Sequence, residues 1–119
     1  MAETPLRRVL SDFARIEGVK GIAVVSKDGF VIDAVVPVGG IDLEALAAMV
    51  MTVYGASERL GEELKLGKNE LLTGEYETGI LLVYDIGDAV VTVVAEKTAI
   101  LGRIRYELKR QAPRIKAAL

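Results

Sequence analysis

The apolar positions of residues 40–66, GIDLEALAAMVMTVYGASERLGEELKL, set a helical pattern around which the rest of the chain is organised. Leu46, Val50, Val53, Ser57, Leu60 and Leu64 fall on one narrow stripe at helical spacing, which predicts packing against a core. Met49 and Ala56 widen the stripe on one side, and Leu43, Ala47, Met51 and Tyr54 on the other. The resulting arc is about twice the ~100° that a one-sided surface helix needs. The remaining sector is small, built from Ala45, Ala48, Thr52 and Gly55, and residues 45–57 carry no charge. A helix apolar on so many sides is expected to be covered twice, by its own sheet and by a second protein or a second copy of the chain.

Around this helix the pattern alternates between strands and helices. Thr4-Pro5 reads as a cap and first position of a helix with Leu6, Val9, Leu10, Phe13 and Ile16 on one face and Gly18 as its stop. Residues 19–26 and 30–36 read as two strands joined by a hairpin at Lys27-Asp28-Gly29, with Asp-Gly supplying positive φ angles. Pro37 and the Gly39-Gly40 pair end the second strand, Asp42 caps the central helix and Gly67 ends it. Residues 69–73, 80–84 and 89–95 read as three more strands, the last two apolar enough to lie at the sheet centre. A last helix from Thr98 has Ile100, Leu101, Ile104, Leu108, Ala112 and Ile115 as its apolar face, with Pro113 expected to kink or end it near Gln111. The pattern gives an α+β fold of order αββαβββα. Its simplest form is one five-stranded antiparallel sheet, with the first and last helices on one face and the central helix on the other.

Composition narrows the chemistry. The 119 residues suffice for one domain, residues 1–119, and 51% of them are apolar. Histidine and cysteine are both absent. That removes the commonest general base, the commonest metal ligand and any thiol nucleophile. Ser11, Ser26 and Ser57 therefore lack a partner for nucleophilic catalysis, and no enzyme activity, cofactor or metal is expected. Neither phosphate-binding glycine motif, G-x-x-x-x-G-K-[ST] or G-x-G-x-x-G, occurs, so the chain does not look like a nucleotide-binding protein. A net charge of −2 and only 5% aromatic residues give no reason to expect nucleic acid. The apolar runs are too short to insert across a bilayer and the N-terminus lacks an apolar signal core, so a cytoplasmic location is expected. The central helix from Asp42 to Glu63 holds five acids against Arg59, whereas the last helix is basic. That basic side reads as a solvated face, with an acidic surface or anionic lipid as the alternative. Arg59 is expected to pair with Glu62 or Glu63 at helical spacing, its other use being that of an arginine finger.

The element order, the Asp28-Gly29 hairpin, the long helix rich in Ala and Met and the ending EKTAILGRIRYELKR together resemble the Roadblock family of dynein light chains and its bacterial and archaeal members. The resemblance spans the whole chain and is most specific in VVTVVAEKTAILGRIRYEL, where Ala99, Leu101 and Gly102 open the last helix. It implies a profilin-like sheet and a homodimer, or a heterodimer with a paralogous Roadblock domain. Two sheets would join edge to edge through the third strand, here Asn69, Glu70, Leu71, Leu72 and Thr73. The paired central helices would meet through Ala48, Met51, Thr52 and Gly55. It further implies a platform that regulates a small Ras-like GTPase, including by activating hydrolysis, with Ala45, Ala48, Met49, Thr52, Ala56 and Arg59 as the GTPase-facing positions. A ligand-sensing domain of the PAS or GAF kind and a purely structural adaptor are the alternatives.

Overall fold

The computed structural model describes residues 3–37 and 40–119. Its elements run α1 (Pro5–Ala14), β1 (Val19–Ser26), β2 (Val31–Val35), α2 (Leu43–Glu63), β3 (Leu71–Tyr76), β4 (Gly79–Asp85), β5 (Ala89–Ala95) and α3 (Leu101–Ala117). All five strands form one antiparallel sheet in the order β2-β1-β5-β4-β3. β5, the run AVVTVVA, is the central strand and is buried on both faces, as its continuous apolar character predicts.

The two faces are filled unequally. On one, α1 and α3 cover Ile22, Val24, Leu82, Val91 and Val93 with Leu10, Phe13, Ile104, Leu108 and Ile115. On the other, α2 alone covers Val25, Val83 and Val90, using Ala47, Val50 and Tyr54. The Arg7 guanidinium of α1 forks onto the Asp33 carboxylate of β2 and ties the first helix to that sheet edge.

Several local expectations hold. The Thr4 hydroxyl accepts from the Arg7 N–H at 3.1 Å, and the Asp42 carboxylate accepts from the Ala45 N–H at 3.2 Å. Others are corrected. α1 ends at Ala14, before Gly18. In the first hairpin only Gly29 has positive φ, at 91°. Gly29 N–H donates to the Ser26 carbonyl, and Ser26 N–H to the Phe30 carbonyl, so the turn is longer than a two-residue Asp-Gly turn. The α2 C-terminus closes at Lys65, φ 56°, rather than at Gly67. Leu66 N–H donates to the Gly61 carbonyl and Lys65 N–H to that of Glu62, the Schellman pattern with lysine in the left-handed position. α3 begins at Leu101 and passes through Pro113 without ending. Pro113 is exposed, so the carbonyl it leaves unbonded can reach water, while buried Ile115 holds the last turn to the sheet. Of the Gly39-Gly40 pair, Gly39 lies outside the described residues.

Candidate binding surface on helix α2 and strand β3

The side of α2 that meets the sheet is not the stripe read from the sequence. Ala47, Val50, Tyr54 and Gly61 are buried, with Leu46 and Met51 half-buried beside them. Within the expected stripe, Val53, Leu60 and Leu64 are instead 49%, 58% and 58% exposed, and Met49 beside it is 61% exposed. The helix is rolled by about 70° from the expected orientation, at roughly 100° per residue. The consequence is an apolar ridge, Met49, Val53, Leu60 and Leu64, that the described residues leave uncovered.

A polar clamp fixes this roll. The Asp85 side chain at the end of β4 is only 1% exposed. It accepts from the Tyr54 hydroxyl, from Lys27 Nζ at 3.1 Å and from the Gly87 N–H at 2.7 Å, with Lys68 Nζ at 3.5 Å. The Tyr54 hydroxyl also lies 2.9 Å from Glu58, one turn along the helix. Glu58 in turn accepts the Asn69 N–H at 3.0 Å, and the Asn69 amide donates to the Ser57 hydroxyl. The Lys27 ammonium sits 5.0 Å from the centre of the Tyr54 ring. One residue type thus does two jobs at Tyr54: the ring fills the core and the hydroxyl bridges two carboxylates.

The charges shift accordingly. Burial pushes the Tyr54 phenol well above its ordinary value, and its bonds to Asp85 and Glu58 push the same way. Burial alone would raise Asp85, but the donors Tyr54, Gly87 and Lys27 outweigh it and hold the carboxyl below its ordinary 3.8. Glu58 is held low by the Asn69 N–H first and by Tyr54 second.

β3 forms one edge of the sheet, paired only with β4. Asp85 N–H donates to the Glu70 carbonyl, and the register sets Leu71 opposite Tyr84 and Leu72 opposite Val83. Alternate residues of an antiparallel strand bond to opposite sides, so the N–H and C=O groups of Leu71, Thr73 and Glu75 point to the open edge. The strand starts two residues later than expected. Asn69 and Glu70 precede it, because the Asn69 backbone and side chain are already committed to α2. The strand also runs past its expected end at Thr73, to Tyr76.

The remaining expected positions sort by exposure. Ala48, Thr52, Gly55, Ala56 and Arg59 are exposed on α2, and Ala45 is half-exposed. Thr52 spends its hydroxyl on the Ala48 carbonyl at 2.9 Å. Met51 packs against the protein's own core, on the side away from the ridge. Arg59 makes no ion pair among the described residues, contrary to the expected bond to Glu62 or Glu63. A surface cleft of about 580 Å³ lies between the end of α2, the start of β3 and α3, lined by Ser57, Leu60, Leu71 and Arg105 among others.

A model of the Roadblock/LC7 domain matches residues 6–95. The chain belongs to the Roadblock/LC7 family. The uncharacterized protein MJ0714 of Methanocaldococcus jannaschii is 40% identical over 117 residues, covering 98% of each chain. Among solved structures, Myxococcus xanthus MglB superposes with TM-score 0.90 at 19% identity, covering 98% of this chain and 97% of that one. A structure described as MglB with tetrameric arrangement superposes at 0.82 with 24% identity, covering 100% and 96%. At these identities the likeness is one of fold. Within this Roadblock domain, sequence reasoning passed over the outward ridge of Val53, Leu60 and Leu64 and the Tyr54–Asp85 clamp. The one signal for the clamp was Tyr54 and Glu58 at i, i+4 on an otherwise uncharged stretch.

Proposed function

We propose that this Roadblock protein is a dimeric binding module that regulates a small Ras-like GTPase without supplying a catalytic base. The observation that carries the reading is the uncovered apolar ridge of α2 beside the open edge of β3. An open strand edge next to exposed Met, Val and Leu is an aggregation hazard unless something pairs with it. A second copy adding its β3 would satisfy the outward N–H and C=O groups of Leu71, Thr73 and Glu75 and bring two α2 helices together. The Thr73 hydroxyl, buried without a hydrogen-bond partner, lies on that same strand. The tetrameric arrangement named for MglB supports self-association in this fold.

In the dimer, Ala48, Thr52 and Gly55 serve as a close helix contact. Ala45, Met49, Ala56 and Arg59 are the positions offered to the GTPase, with Ala48 and Thr52 shared between the two. Such a surface is depleted in charge, as interface cores are. Arg59, exposed and without an ion pair among the described residues, is the one cation of α2 able to approach the nucleotide, and any further stimulation of hydrolysis comes from ordering the GTPase's own switch segments. A heterodimer with a paralogous Roadblock domain uses the same edge.

The test combines sizing with capture. Light scattering at micromolar concentration should give twice the chain mass. The immobilised dimer should recover a Ras-like GTPase from native extract, with recovery that differs between its GTP- and GDP-loaded states. Ala48→Arg and Thr52→Glu should weaken capture by about 2 kcal/mol if the site is central, or yield monomers if they hold the dimer. If both variants stay dimeric and capture the GTPase like the parent, the α2 platform is wrong.

A further inference from the structure

α3 carries six basic residues, Arg103, Arg105, Lys109, Arg110, Arg114 and Lys116, against the single acid Glu107, in a chain whose net charge is −2. The α2 acids sit on the helix across the sheet, and Arg105 and Lys109 reach the cleft that α3 shares with the end of α2 and the start of β3. Ile104, Leu108 and Ile115 face the core. Opposite them on the helix stand Tyr106, 63% exposed, and Pro113, also exposed. At roughly 100° per residue, Arg105, Lys109 and Lys116 flank this crest on one side and Arg103, Arg110 and Arg114 on the other. Arg110 pairs with Glu107 at 3.1 Å and Arg114 approaches Asp12 at 4.0 Å. Among the described residues Arg103, Arg105, Lys109 and Lys116 have no ion-pair partner. Lys109 and Lys116 share a surface cleft of about 380 Å³ with Lys68, which is itself 3.5 Å from Asp85, and Arg8 of α1 shares another with Arg114, adding one cation beside the helix.

We propose that this α3 face docks on an anionic lipid surface. Cations spread over both flanks of a crest suit an extended negative plane better than a groove-bound ligand. An aromatic side chain with a polar tip at that crest suits the headgroup layer. A hydrated phosphodiester backbone would reward the cations but not the Tyr106–Pro113 crest between them. The contact is peripheral, because no helix among the described residues is long and apolar enough to cross a membrane. The inference stands without the dimer. If β3 edges do pair, the twofold axis of antiparallel pairing is normal to the sheet and keeps like faces together. Both α3 helices then face one plane, and both α2 helices are left free on the other side.

Sedimentation with phosphatidylcholine vesicles, with and without phosphatidylglycerol, tests this at low and high salt. The parent should bind only the phosphatidylglycerol vesicles and should be released by salt. Arg105→Glu with Lys109→Glu should weaken binding about tenfold or more, Tyr106→Ala by roughly threefold, and Glu62→Gln on α2 across the sheet should change nothing. Arg105 and Lys109 are exposed, so the double variant should melt like the parent; if it does not, the Gln pair at the same positions replaces it. No binding, equal binding to neutral vesicles, or binding to a DNA fragment with none to vesicles would each overturn the proposal.

Discussion

Tyr54→Phe removes one oxygen from the centre of the clamp and leaves the ring in place. The hydroxyl has a single proton, so it donates to Asp85 or to Glu58 at any moment and not to both. The variant therefore loses one hydrogen bond to a charged acceptor, which contributes about 1.5–3 kcal/mol. Asp85 is nearly fully buried but keeps the Gly87 N–H and Lys27, so the low to middle part of that range, about 2 kcal/mol, is expected. For a chain of this size that lowers Tm by roughly 6–10 °C. The loss should depend on pH. The folded Asp85 carboxyl ionises below its ordinary 3.8, partly because of Tyr54. As pH falls, the unfolded chain takes up the proton first, so the contribution is full above 3.8 and disappears as pH drops through the folded value. The gap between parent and variant is thus widest near neutrality and narrows in acid. On the alkaline side the phenol ionises later in the folded chain than its ordinary 10.0, so the parent loses this increment above that pH and the Phe variant does not. Urea unfolding across the pH range measures both limbs. A gap under about 0.5 kcal/mol at neutral pH, at the level of ordinary surface changes, or one constant at every pH, would refute the reasoning. A cycle with Asp85→Asn then isolates the pair.

Leu71→Pro removes an N–H that points to the open edge, so the β4 ladder should survive while self-association is lost in sizing runs. Val53→Glu places a charge on the exposed ridge, where a lone domain tolerates it; the expected outcome is a parental fold by circular dichroism with a shift from dimer to monomer. Lys65→Gly relieves a left-handed lysine at the end of α2 and should raise stability by about 0.5–1 kcal/mol in urea titration. Gly18→Ala should do the reverse, since φ there is 92° and a Cβ would stand 2.5 Å from the Ala99 Cβ; a fall in Tm of several degrees is expected, on the order of 1–3 kcal/mol.

The strands were legible where apolar character was continuous. β1 and β5 match residues 19–26 and 89–95 because GIAVVS and AVVTVVA have few polar places to end. β3 was misplaced by two residues because Asn69 and Glu70 look like strand entry, yet the Asn69 N–H is needed by Glu58, a contact no local pattern encodes. Pro113 was misread for a related reason: its effect depends on whether the freed carbonyl meets water, which is a property of the packed helix. The roll of α2 escaped for a different cause. Its apolar arc is so wide that several orientations bury similar area, and periodicity cannot rank them.

What ranks them is polar. Rolled the other way, α2 would cover Val53, Leu60 and Leu64 but uncover Ala47, Tyr54 and Met51, so apolar burial at about 25 cal/mol per Å² does not separate the two orientations. It would also swing Tyr54 and Glu58 away from Asp85 and the Asn69 N–H. The buried Asp85 carboxylate would then lose a donor, and Glu58 its backbone partner, a combined cost comparable to burying one or two side chains. The clamp therefore keeps Ala47, Val50 and Tyr54 against the sheet and turns Met49, Val53, Leu60 and Leu64 outward. This agrees with the uneven core, in which α1 and α3 supply most of the buried contacts. Stability drawn from that face frees α2 to carry an apolar ridge. A ridge held outward by directional bonds, rather than left exposed for want of anything to bury it, is what a preformed interface requires.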